Sequence, residues 1–337
     1  MRLLLTSFTG RCLANWLPIS EEAAKNGGSC EVAAFPRLCD PDHHSLLKPE
    51  NRVQYRADID KNFDFIYESD IDAISRFCET VKENQYDAVL LTSCVAGPEL
   101  RLRAALRESG ITTPVIGLQH GVFQFWHSYQ NNQSSFDAFG LFGRAFLSRL
   151  DINNFPPVAV LGLPKLDLIE RKNNNGSSLL IALQANEYFL GIKNLILDLK
   201  KFGYKIYVRA HPEHRKTHAQ FMLDCAVISS EEHLNFAFDK ISGVITTGST
   251  IVLESITARL RTVVLPLENG KEFDQLGIVA RSPTADAVLE TIRKYDDPKF
   301  WEYLGQSVEC FAGPENRRTS DAYAGISRTI EMLKQRR

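Results

Sequence analysis

Three short segments place chemistry-bearing side chains directly after apolar runs of the kind that form buried strands. The first is Val208-Arg209-Ala210-His211-Pro212-Glu213. Pro212 disfavours helical geometry at the residue before it, so His211 is expected to be extended at a strand end. An imidazole there can donate to a phosphate, and Arg209, Arg215 and Lys216 add positive potential. A single histidine in such a place equally serves as a loop cap. His211, His214 and His218 could also be read as metal ligands, with the last two on one helix face. No carboxylate or cysteine arrangement completes a zinc signature around them, so no metal is expected.

The second segment runs Val244-Ile245-Thr246-Thr247-Gly248-Ser249-Thr250-Ile251-Val252-Leu253-Glu254. It reads as a strand, a glycine turn at Gly248, then a hydroxyl-rich helix start. Ser249 or Thr250 at the N-cap would satisfy orphan amides. The remaining amides and the helix dipole favour an anion. Thr247, Ser249 and Thr250 can add hydroxyl donors, and Glu254, about one turn in, could accept from ribose hydroxyls. Ordinary helix capping explains the hydroxyls alone; the pairing with His211 in the same half points to a phosphate.

The third segment is Val115-Ile116-Gly117-Leu118-Gln119-His120-Gly121. A buried strand ends at His120, and Gly121 would permit a sharp turn. A neutral imidazole near its ordinary pKa suits a general base. Gln119 and Gly121 would border the same cleft, as would Thr9 and Arg11 after the first strand. The pairs Asp40/Asp42, Asp58/Asp60 and Asp70/Asp72 have metal-binding spacing. None follows a clear buried strand, and Asp70 with Asp72 suits the negative first turn of a helix.

The elements that must position these residues alternate along the chain. Strands are expected at 2–6, 88–92, 115–118, 136–142 and 158–161, with helices at 70–84 and 99–109. A polar stretch at 171–177 marks a linker. The pattern then restarts, with strands at 179–182, 205–209, 226–229, 244–247 and 262–265 and helices at 192–202, 288–295 and 320–334. Continuous Val/Ile/Leu runs separated by helices indicate parallel sheets covered on both faces. The expected fold is α/β, two Rossmann-like doubly wound domains facing a cleft. They would span 1–170 and 178–318, with a C-terminal helix at 319–337 able to return to the first domain. Ligands in such sheets sit beyond the carboxyl ends of strands.

Composition narrows the partners. The 337 residues carry 39 Lys plus Arg and 41 Asp plus Glu, a formal charge of -2. No global positive field exists to gather nucleic acid. Seven cysteines without a C-x-x-C suggest reduced thiols and a cytosolic chain. No run approaches the ~20 apolar residues that cross a bilayer, leaving at most peripheral association with the inner membrane face. Dehydrogenase, NTPase and α/β-hydrolase motifs are missing.

Together the segments resemble bacterial surface-polysaccharide transferases of the GT-B type. These are the capsule polysaccharide Kdo-transferases and the CDP-glycerol glycerophosphotransferases. Leu118-Gln119-His120-Gly121 looks like their His-Gly element. Leu161-Gly162-Leu163-Pro164-Lys165-Leu166-Asp167 is similar to their Gly-x-Pro-x-x-Asp segment. Arg209-Ala210-His211-Pro212 looks like a His-Pro motif shared with bacterial sialyltransferases, and Thr247-Gly248-Ser249-Thr250 with Glu254 resembles a nucleotide-phosphate motif. Val122-Phe123-Gln124-Phe125-Trp126 departs from the glycerophosphotransferases, and the sialyltransferases' acidic base element has no counterpart in the first half.

The resemblance implies a nucleotide-sugar-dependent glycosyltransferase needing no metal or cofactor. Its donor would be activated by CMP, CDP or UDP, the first two foremost, and its acceptor would be a glycan or lipid-linked hydroxyl. His211 and the 247–250 turn would hold the donor phosphate, Glu254 its ribose, and His120 would take the acceptor proton. Two other readings of the same architecture are a UDP-GlcNAc 2-epimerase-like isomerase and a non-catalytic nucleotide-sugar-binding scaffold.

Overall fold

The computed structural model describes residues 1–7, 10–35, 65–66, 70–92, 97–121, 136–150, 156–173, 176–183, 191–210, 225–228 and 234–336. The chain forms two compact units: residues 1–168 with 310–337, and residues 169–309.

The first unit contains β1 (Arg2–Ser7), β2 (Ser29–Ala34), β3 (Phe65–Ile66), β4 (Ala88–Leu91), β5 (Val115–Leu118), β6 (Ala138–Leu141) and β7 (Val158–Val160). They form one seven-stranded sheet in the order β3-β2-β1-β4-β5-β6-β7. Every pairing is parallel. Each described residue of β4, β5 and β6 is buried, as continuous apolar runs require of strands covered on both faces. The Asp70–Asn84 helix buries Ala73, Phe77, Cys78 and Val81, the apolar stripe of its 3.6-residue period.

The second unit contains β8 (Ser178–Ala182), β9 (Lys205–Arg209), β10 (Ala226–Val227), β11 (Gly243–Thr246) and β12 (Arg261–Val264). Their order is β10-β9-β8-β11-β12, again all parallel. Each sheet therefore grows outward from its first strand and reverses there, next to β4 in one and β11 in the other. That reversal defines the doubly wound fold and its topological switch point.

The C-terminal residues belong to the first unit. Leu163 N donates to Ala312 O at 2.9 Å. Phe146 and Phe311 meet edge-on with centroids 5.7 Å apart. A Cβ at Gly143 would lie 2.3 Å from Cys310 O, so only glycine allows this approach. Asp167 then fastens the Arg318–Gln335 helix: its Oδ2 accepts from Thr319 N and Thr319 Oγ1, both at 2.8 Å. Buried Arg318 places Nη1 3.6 Å from Asp167 Oδ1. The Gly-x-Pro-x-x-Asp segment is thus a cap for the last helix, with Gly162 at φ 93°.

The polar stretch expected as a linker is tied down at its start. Lys172 N donates to Ala258 O at 2.8 Å. Its Nζ lies 2.7 Å from both Glu170 and Asp239 carboxylates. Polarity at 170–172 reflects an ion-paired segment of the second unit rather than a free tether.

Candidate functional site

The second unit presents its polar groups in a row across the carboxyl edge of the sheet. Ala182 pairs in register with Arg209 on one side and Thr246 on the other. In-register residues of parallel strands share a face, and two ladder spacings put Arg209 and Thr246 about 10 Å apart. The residues just before them, Ile181, Val208 and Ile245, belong to the apolar core on the opposite face. Alternation therefore turns Arg209 and Thr246 to the other side, with only the small Ala182 between them. Arg209 is half-buried, its Nη1 fully so.

Beyond Thr246 the chain runs through Thr247, Gly248, Ser249 and Thr250 into the Ile251–Thr257 helix. Gly248 has φ 131°, which L-residues rarely adopt. Ser249 and Thr250 are half-buried. Ser249 Oγ accepts from Ile251 N at a long 3.5 Å, while Thr250 contributes no side-chain cap. Of the two expected caps, Thr250 occupies the position without a side-chain bond and Ser249, one residue earlier, makes only the long one. Thr246 and Thr247 are almost completely buried, and neither hydroxyl has a hydrogen-bond partner among the described residues. Glu254 is also buried, at 2% exposure, in the first turn of the helix.

This helix rests on a rigid support. Ser255 Oγ and Thr262 Oγ1 are 2.8 Å apart. Tyr295 OH donates to Thr262 O at 2.6 Å. Burial raises the Tyr295 pKa, so the phenol stays protonated and remains a donor. Leu265 N donates to Thr246 O at 2.7 Å, tying the exit of β12 to the turn. The segment is held from behind, while the Thr246 and Thr247 hydroxyls have no partner among the described residues.

In the first unit the described residues of the corresponding edge are closely bonded. Gln119, expected beside an opening, is fully buried. Its Nε2 donates to Gly121 O at 2.7 Å and its Oε1 accepts from Phe142 N at 2.9 Å. Its backbone oxygen accepts from Trp16 Nε1 at 2.9 Å, and His120 O accepts from Asn15 Nδ2 at 2.8 Å. Gln119 is a latch joining β5 to β6, not a surface group. Gly121 also departs from expectation: its φ is outside the left-handed region, and no atom of the described residues lies within 4 Å of its Cβ position.

His120 remains as the titratable group of this edge. Some of its surface is accessible, yet protein surrounds the ring closely enough that burial lowers its pKa to about 4. The imidazole is therefore neutral at pH 7 and able to accept a proton. The roles of Asn15 and Trp16 carry no signature in the sequence. Thr246 has a weak one, a hydroxyl residue closing an otherwise apolar strand.

Several expected residues lie outside the described part of the chain: His211 with His214, Arg215, Lys216 and His218, Thr9, Asp40, Asp42, Asp58 and Asp60. Arg11 falls in the Gly10–Trp16 helix, whose backbone alone is described at that residue. Among the described residues no three His, Cys, Asp or Glu side chains gather as a metal site.

No family model matches the chain, and no curated protein matches its sequence. Solved structures do match it over nearly the whole length. UDP-GlcNAc 2-epimerase from Neisseria meningitidis bound to UDP-GlcNAc aligns with TM-score 0.67 at 15% identity, covering 98% of this chain and 100% of that one. A glycosyltransferase from Rickettsia africae aligns with TM-score 0.61 at 10% identity, covering 99% and 98%. MurG from Acinetobacter baumannii aligns with TM-score 0.53 at 14% identity, covering 99% of each. At these identities the likeness is one of fold, and that fold is GT-B.

Proposed function

We propose that the chain is a nucleotide-sugar-dependent glycosyltransferase whose second unit holds a pyrimidine nucleotide, CMP or CDP, through its phosphate. The observation that carries this reading is the row Arg209–Ala182–Thr246 continuing into the Thr247–Thr250 turn. It combines a guanidinium, a glycine-opened turn and four hydroxyl residues at a Rossmann switch point, where ligands bind. Glu254 is the ribose acceptor in this scheme, and His211, two residues after Arg209, adds an imidazole donor to the phosphate.

In the proposed reaction the acceptor oxygen attacks the anomeric carbon. The bond from that carbon to the donor phosphate breaks, and its electron pair leaves with the nucleotide. Charge grows on the leaving phosphate, so preorganised donors stabilise the transition state more than the ground state, by about 3 kcal/mol each. His120 takes the acceptor proton, a role suited to its neutral state. No metal is required, because Arg209, His211 and the hydroxyl turn supply the compensating field. The acceptor is a surface-glycan or lipid-linked hydroxyl.

Calorimetric titration of CMP, CDP, UDP and GDP into the full chain tests the reading. Pyrimidine nucleotides should bind, and Arg209→Met should weaken them by about 10- to 100-fold, the value of a charge-assisted bond. His120→Ala should lose turnover while keeping donor affinity. Equal binding of all four nucleotides by wild type and Arg209→Met would overturn the assignment.

An epimerase is the second reading, favoured by full-length likeness to UDP-GlcNAc 2-epimerases. Proton transfer at a sugar carbon calls for carboxylates, and Asp167 is consumed in capping the last helix. Incubation of UDP-GlcNAc with the protein in deuterated water decides between them, since an epimerase washes label into the sugar.

A further inference from the structure

The Gly191–Lys201 helix of the second unit buries Ile192, Leu195, Ile196 and Leu199 in the core beneath it. An amphipathic helix ordinarily carries polar residues on its outer face. This one carries Leu197 there, 46% exposed, and is followed directly by Phe202, 55% exposed. Lys193 lies four residues before Leu197, and Lys200 and Lys201 lie three and four after it. At these spacings the lysines flank Leu197 on one side of the helix. Asp198 is the one acidic residue between 191 and 202, and it pairs with Lys201 at 2.7 Å.

The end of the helix holds Phe202 outward. Gly203, at φ 86°, donates to Lys200 O at 2.9 Å, and Tyr204 N donates to Leu199 O at 3.1 Å. These two bonds end the helix in a glycine cap. Tyr204 then turns back to pack on the core. Phe202 is left at the rim, beside Lys200 and Lys201.

We propose that this face docks on an anionic lipid surface. Leu197 and Phe202 enter the headgroup region, and Lys193, Lys200 and Lys201 meet the lipid phosphates. A second copy of the chain fits poorly, because a two-fold contact would set these lysines against their equivalents. A folded protein partner needs about 800 Å² of complementary surface on each side, far more than two protruding side chains supply. A fluid, negatively charged surface needs only shallow apolar insertion and basic flanks. The proposal is independent of the nucleotide reading, since it uses none of the same residues.

Cosedimentation of the full chain with vesicles tests it. Vesicles of phosphatidylcholine mixed with phosphatidylglycerol should carry the protein down, and phosphatidylcholine alone should not. The triple variant Phe202→Ser, Lys200→Glu, Lys201→Glu should lose at least roughly tenfold in partitioning. Phe202→Ser alone should lose less. Unchanged thermal unfolding serves as the folding control. Failure of the wild type to sediment with anionic vesicles overturns the proposal, as does equal sedimentation of a folded triple variant. A dimer in sedimentation velocity that the variant dissolves would assign the face to a second copy instead. Lipid-independent binding of an acidic protein would likewise overturn it.

Discussion

The carboxyl edges of the two sheets share a topology and differ in how their polar groups are satisfied. In the first unit Thr92 Oγ1 donates to Thr6 O at 2.9 Å and Thr6 Oγ1 donates to Leu90 O at 3.2 Å, sewing β1 to β4 at the switch point. Gln119 spends both ends of its amide on neighbouring backbone. In the second unit Thr247 follows β11 as Thr92 follows β4, and Ala182 stands where Thr6 does; Thr247 and its neighbour Thr246 are as deeply buried but lack side-chain partners among the described residues. A buried hydroxyl without a partner costs about 1–3 kcal/mol. One edge has been closed into a scaffold, whereas the other retains the kind of unsatisfied donors that a ligand can engage. The difference teaches that a shared fold fixes where a site can be, and that hydrogen-bond accounting among the described residues separates a closely bonded edge from the one proposed to hold the nucleotide.

The comparison breaks most easily at Gln119. Gln119→Leu strands Phe142 N and Gly121 O together, so the urea midpoint should fall by the equivalent of about 4 kcal/mol. Nucleotide affinity should be unchanged. If stability survives the substitution, the first edge is not held as described.

Acid should act next most strongly, through His120. Its folded pKa of about 4 lies below its ordinary 6.5, so between these values the unfolded chain binds more protons than the folded one. Stability contributed by keeping this group neutral is intact above pH 6.5 and lost as pH falls toward 4, amounting to about 3 kcal/mol. His120→Asn should flatten that part of the stability profile, measured by urea unfolding across the range.

Gly248→Ala sharpens the contrast at the second edge. A side chain at φ 131° should cost about 2 kcal/mol of stability. It should also weaken nucleotide binding, because the strained turn relaxes away from its present path. The smallest and most pointed effect comes from a matched pair. Thr92→Val removes a made hydrogen bond and should destabilise by about 1 kcal/mol. Thr247→Val removes an unmade one and should leave the unliganded protein as stable or slightly more so. It should nevertheless reduce nucleotide affinity several-fold. Parallel denaturation and calorimetry on the two variants would show whether the edges differ as proposed.

Much of the fold was legible residue by residue. The spacing in 70–84 and the apolar run of 115–118 predict the elements observed there, and Gly203 stops its helix as its position predicts. The Pro298–Ala312 helix is not among the expected elements although its ends are marked, by Asp297 Oδ1 accepting from Lys299 N, Pro298 at the first position and Gly313 at φ 79° just after it. The Ser29–Ala34 strand is not among the expected elements because its six residues include Ser, Glu and two alanines rather than a continuous apolar run. At the candidate site the hydroxyl turn and Arg209 were visible as types and spacing. The latch made by Gln119 was not, because a glutamine after a strand looks the same whether it faces solvent or backbone.

What the sequence determined by itself is local: alternating strands and helices, the glycine turn at 248, and a set of donors suited to an anion. Those features depend on neighbours within a few residues, where backbone sterics and periodicity act. The tertiary structure alone decided that Ala182 separates Arg209 from Thr246, that Asp167 caps a helix beginning 151 residues later, and that Thr92 finds a partner while Thr247 finds none among the described residues. Strand order and register join residues far apart in the chain, and no local preference encodes which groups they bring together.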